Sequence, residues 1–62
     1  MRRIKKDDLS SKELEVLEFL MDTVGYSEDG KQFIYSNLFR DENGVAYCPS
    51  KSRKKLLAIC VD

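Results

Sequence analysis

The sequence predicts an α+β domain, in which one N-terminal helix packs on a small three-stranded antiparallel meander. Three observations lead there. Residues 11–24 form one amphipathic stretch with a start and a stop signal; the hairpin dipeptide Asn43-Gly44 lies between strand-like runs; and the chain closes on "LLAICV", six uninterrupted apolar residues.

The helix has the firmest signal. Ser10 with Glu13 three residues later is a capping box, and Leu9 and Leu14 are spaced for a hydrophobic staple across the helix start. Leu14, Leu17, Leu20, Met21 and Val24 recur at helical spacing. Val16 and Phe19 widen the apolar stripe, while Lys12, Glu15, Glu18 and Asp22 face away. Phe19 and Met21 are expected in the core. Gly25 can take the left-handed conformation that closes a helix.

After a loop "GYSEDG", residues 31–40 and 45–48 read as two strands joined at Asn43-Gly44, because both turn residues tolerate positive φ. That register places Arg40 opposite Tyr47 and Phe39 opposite Cys48. Residues 31–40 also fit a helical period through Phe33, Ile34, Leu38 and Phe39. Pro49 suits a strand end, where its missing N–H does least harm. Residues 51–55 are a basic loop rather than a helix start, since Lys51, Arg53, Lys54 and Lys55 at a helix N-terminus, with Asp62 at its far end, would oppose the macrodipole. Residues 56–61 then form the last strand. The alternative architecture is an all-α, three-helix module resembling a helix-turn-helix only in outline; the link between its second and third helices is longer than the usual three to four residues.

Sixty-two residues make one small domain, residues 1–62, with 1–8 expected as a flexible basic arm. A chain of this size hides only about 60% of its unfolded surface, which leaves little room for a cofactor cavity. The composition, 42% hydrophobic and 35% charged, is that of a folded protein. The 11 basic and 11 acidic residues cancel, but they are sorted along the chain. Residues 1–6 carry a net +4, residues 7–42 a net −7 and residues 43–62 a net +3.

The basic opening "MRRIKK" runs into "DDLSSKE" where a secretory signal needs an apolar run, and no stretch approaches a membrane span in length. A soluble, cytoplasmic protein is expected. Cys48 and Cys60, with no histidine in the chain, do not make a usual structural zinc site, and two small buried thiols are the expectation. No catalytic signature is present. Glu15 and Glu18 sit on a solvated helix face, and Cys48 has no histidine to serve as its base. A non-enzyme without metal, cofactor or small-molecule substrate is therefore expected.

The expected sheet is apolar on both faces. In the Asn43-Gly44 register, Ile34, Leu38, Val45, Tyr47, Leu57, Ile59 and Val61 share one face, and Phe33, Tyr35, Phe39, Ala46, Cys48, Leu56, Ala58 and Cys60 share the other. One helix can cover only the first. Phe33, Tyr35 and Phe39 then become candidate anchors for a larger protein or a second copy of the chain, and a small regulator or inhibitor acting by protein contact is the leading functional reading. The alternative is a nucleic-acid-binding regulator that uses Arg2, Arg3, Lys5 and Lys6 of the arm and Lys51, Arg53, Lys54 and Lys55 of the loop. An isoelectric point near 6.2 weighs against it.

Overall fold

A computed structural model describes residues 1–50 and 55–61 of the chain. Its described elements are β1 (Arg2–Ile4), α1 (Ser11–Val24), α2 (Glu28–Tyr35), β2 (Leu38–Arg40), β3 (Ala46–Pro49) and β4 (Leu56–Ala58). The protein is α+β, with two helices and a four-stranded antiparallel meander in the order β1-β2-β3-β4. It thus has one helix and one strand more than the sequence suggests.

The first helix forms as its signals require. Ser10 Oγ accepts from Glu13 N at 3.1 Å, and a Glu13 carboxylate oxygen accepts from Ser10 N at 2.9 Å. These bonds satisfy amides that the first turn otherwise leaves without partners. Gly25 ends the helix at φ 87°, with its N–H donating to Met21 O.

The region expected as one long strand divides in two. Residues 28–35 form α2, capped by Ser27, whose Oγ accepts from Gly30 N at 3.2 Å, and Glu28 and Asp29 lie in the first turn, where negative charge is favoured. Asn37 Nδ2 donates to Phe33 O at 2.8 Å, binding a carbonyl of the last turn just before β2 begins. Residues 2–4, expected in a free arm, are an edge strand. Arg2, Arg3 and Ile4 pair with Arg40, Phe39 and Leu38, and Ile4 is buried.

The hairpin is real, but its register differs by one residue from the expected one. Phe39 pairs with Tyr47 and Arg40 with Ala46. The connection is a three-residue loop, Glu42 to Gly44, closed by Asp41 N donating to Val45 O and by Gly44 N donating to Asp41 O. Asp41 decides this. Its carboxylate accepts from Asn43 N and Val45 N, both at 2.9 Å, and only Gly44 takes positive φ, at 85°.

That slip exchanges the faces of β3, because side chains alternate along a strand. Ala46 and Cys48 turn toward the helices and are buried, while Tyr47 turns away. The core comprises Ile4, Leu17, Met21, Ile34, Leu38, Ala46, Cys48 and Ile59, with Leu9, Val16, Tyr26, Phe33 and Tyr35 packed against it. Phe19 contradicts its expected burial and is 70% exposed. Cys60 is likewise exposed, and both thiols are free.

The two non-turn glycines of the helical half separate cleanly. A Cβ on Gly30 would meet Tyr26 and Ser27 at 3.4–3.5 Å, ordinary contact distances, whereas Gly25 has a φ that side chains rarely adopt. Gly30→Ala should therefore raise unfolding free energy by about 0.5–1 kcal/mol, and Gly25→Ala should lower it by about 1 kcal/mol or more. Urea denaturation of the two variants checks both signs.

Candidate functional site

Leu17 and Met21 of α1 and Ile34 of α2 pack with Ile4, Leu38, Ala46 and Cys48, so both helices lie on one face of the sheet and, among the described residues, the other face has no helical cover. Because β2 pairs with β1 and β3, and β3 with β4, residues Arg3, Phe39, Tyr47 and Ala58 fall in one transverse row on that open face. Phe39 and Tyr47 are half-buried, and Arg3 and Ala58 are exposed. The row is short, aromatic in the middle and cationic at the β1 end.

The two polar members of the row are oriented by hydrogen bonds. Arg3 Nη2 donates to Ser36 O and to Asn37 Oδ1, the latter at 3.3 Å. Tyr47 OH donates to Asp41 Oδ2 at 3.1 Å. Asp41 is held below the usual carboxylate range, first by the backbone N–H of Val45, and the same Asp41 pushes the Tyr47 phenol up. The phenol therefore stays protonated at neutral pH and points toward the hairpin end.

Of the three anchors expected from the sequence, only Phe39 lies on this face. Phe33 and Tyr35 belong to α2 rather than to a strand, and both pack against the core. Tyr35 is also covered by Lys6, whose Nζ sits 4.4 Å from the ring centroid, and burial pushes its phenol up. Tyr47, absent from the expected set, takes their place. Its position follows from the loop length, which the Asp41 carboxylate could have signalled.

The basic residues are brought together only in part. Arg3 lies on the open face, Lys5 is exposed at the end of β1, and Lys6 is occupied by Tyr35. Arg2 pairs across from Arg40. Lys55 is exposed beside the start of β4, while Lys51, Arg53 and Lys54 lie outside the described residues.

The acidic residues sit elsewhere. Glu15, Glu18 and Asp22 are on α1, behind the sheet, and Asp22 bonds Lys31 of α2 at 3.0 Å. Glu13 is fully engaged with Arg40: Nη1 reaches Oε2 and Nη2 reaches Oε1, each at 3.0 Å. Arg40 donates further to Gly44 O at 2.7 Å and to Asp8 O at 3.0 Å. These side chains are only 17% and 12% exposed, so the pair is shielded from solvent.

Among the described residues there is no cluster of three or more His, Cys, Asp or Glu able to hold a metal, and no helix long and apolar enough to cross a membrane. Burial pushes the Cys48 thiol up, away from the reactive thiolate. Comparison with family models, curated proteins and solved structures found no match to this chain.

The fork from Arg40 holds Glu13 below its ordinary value of 4.5, with burial opposing and Ser10 assisting. A carboxylate depressed by folding stabilises the fold above its unfolded pKa and loses that contribution as pH falls through the folded value. Stability should therefore be level near neutrality and drop below about pH 4.5. Arg40→Met should cost about 2 kcal/mol at pH 7 and flatten this drop. Urea unfolding of both proteins at pH 7 and pH 3 measures the difference.

Proposed function

We propose that this protein is a small non-enzymatic regulator or inhibitor that acts by binding another protein through the open face of its sheet. The observation that supports this most is the transverse row Arg3, Phe39, Tyr47 and Ala58, which neither helix covers. Two adjacent aromatic rings on a rigid sheet supply contact area at little entropic cost, and an arginine beside them adds directional donors. The exposed Glu15, Glu18 and Asp22 put negative charge on the helix side of the domain. Encounter and orientation would then be guided by the separation of charge between the two faces.

A protein partner fits this face better than nucleic acid does. Asp41 receives the Tyr47 hydroxyl and places a negative charge at the hairpin end of the row, where it would repel a phosphate chain. The nucleic-acid reading retains one specific support. The exposed acids of α1 lie behind the sheet, leaving Arg3 and Lys5 with the aromatic pair on the other side.

The two readings separate in one set of measurements. In vivo photo-crosslinking from the open face should recover a partner protein with the natural chain and lose it with Phe39→Ala/Tyr47→Ala. The double variant should keep its helical circular dichroism. Labelled single-stranded DNA and RNA should show no salt-sensitive binding at micromolar protein. Binding that weakens steeply with salt, and with Arg3→Ala, would reverse the order of the readings.

A further inference from the structure

We propose that the free edge of β4 and the adjoining flank of α1 form a homodimer interface, with two β4 strands pairing antiparallel about a two-fold axis at Ala58. This surface meets the row on the open face only at Ala58 and leaves out Phe39 and Tyr47, and the proposal does not depend on the binding function inferred above.

The two edges of the sheet are unlike. On β1 the exposed residues are Arg2 and Arg3, followed by Lys5, and cations of this kind discourage strand addition. On β4 the exposed residues are Leu56, Leu57 and Ala58, uncharged, with the exposed Lys55 flanking them at the start of the strand. An uncharged apolar edge is a template for another strand.

The hydrogen-bond pattern limits how a second strand can add. Ser50 N donates to Lys55 O and Ile59 N donates to Ala46 O, so residues 55, 57 and 59 direct their backbone groups at β3. By the alternation of an antiparallel ladder, Leu56 and Ala58 direct theirs outward. Ala58 opposite Ala58 of a second copy satisfies both chains at once. Leu56 then faces Cys60 of the other copy, and the pairing joins two meanders into one continuous sheet.

The helix beside this edge carries a matching surface. Lys12, Val16, Phe19 and Leu20 line a groove with Cys60 and Val61, while Leu20 and Val24 line a hollow with Leu57. Leu20 lines both, so α1 runs antiparallel to β4 with Leu20 between the levels of Leu57 and Cys60. A two-fold axis there brings Leu20 against Leu20 and Val16 against Val24, with each exposed Phe19 covered between them. Glu18 and Asp22 lie on the other flank of α1, so no acidic pair is forced together.

Phe19, Leu20, Val24, Leu57 and Val61 leave on the order of 400 Å² of apolar surface uncovered, the size of patch that on monomers is often a binding site. Each partner of a standard interface buries about 800 Å². The strand backbones and the rim residues Lys12, Glu15 and Lys55 add to the apolar centre.

Sedimentation equilibrium of the full chain from about 1 μM to about 1 mM spans the range in which an interface of this size associates. The expected result is a mass that rises from 7.2 kDa to twice that value. Phe19→Lys changes a residue already in solvent, and Ala58→Pro removes an outward N–H without touching the β3 ladder. Each should weaken the dimer at least about tenfold at unchanged circular dichroism. Phe39→Ala/Tyr47→Ala should dimerise like the natural chain. In a Cys60→Ser background, Ala58→Cys should form a covalent dimer with oxidised glutathione, since facing Cα atoms in such a pair are about 5.5 Å apart. Arg3→Cys, on the other edge, should not. A monomer at every concentration, a dimer indifferent to both interface variants, or equal cross-linking from Arg3→Cys would each overturn the proposal.

Discussion

The two-pronged bond between Arg40 and Glu13 is the constraint on which the arrangement of this small domain depends. Glu13 already closes the capping box of α1, and the same carboxylate receives both guanidinium nitrogens of a β2 residue. Arg40 reaches on to the carbonyls of Asp8 and Gly44. One side chain therefore ties the helix start, the segment before it, a central strand and the hairpin loop to one another. Paired charges of this geometry are stronger than fully exposed ion pairs because the fork fixes their direction and both side chains are largely covered. Alternation along β2 then puts Leu38 on the same face as Arg40, so the ion pair and the core enforce the same strand orientation.

From that orientation the two available surfaces follow. With the helices committed to the Leu38 and Ala46 side, Phe39 and Tyr47 are left together on the opposite face. The sheet also ends differently on its two sides. The cations of the opening segment lie along the edge at β1, and among the described residues the edge at β4 is apolar, with Lys55 at its start. Charge sorted along the chain thus becomes charge sorted around the sheet, and part of it is used structurally, as in the contact of Lys6 with Tyr35 and of Arg3 with Ser36 and Asn37. The basic residues of the opening segment are accordingly less available to a phosphate backbone than a free arm would make them.

How much of this was legible depended on the range of each signal. The first helix was readable to its ends because Ser10, Glu13 and Gly25 act within a few residues of where they sit. The second helix carried a local signal too, Ser27 followed by Glu28 and Asp29, but Gly30 and the loop-like run "GYSEDG" concealed it. Residues 31–40 satisfied both periods because they contain the end of a helix and a whole strand, separated by Ser36 and Asn37 with neither glycine nor proline to mark the break. The sequence set Phe33, Tyr35 and Phe39 together on the uncovered face, and only Phe39 lies there. Tyr47 was missed through a single-residue difference in loop length, and a difference of one inverts every side chain of a strand.

The sequence by itself determined α1 and its caps, the presence of a hairpin around Asn43-Gly44, the apolar character of the last strand and the lack of histidine chemistry. All of these rest on local backbone preference or on composition. Only the tertiary structure decided that residues 2–4 are a strand, which of Tyr47 and Cys48 faces the helices, and that Phe19 lies outside the core. Each of those depends on a partner distant in the chain: β2 for the opening strand, the Asp41 carboxylate and the covering helices for the faces of β3, and, for Phe19, the side of α1 that the sheet takes up with Leu17 and Met21. A short strand has too few residues to specify its own pairing, so its neighbours specify it.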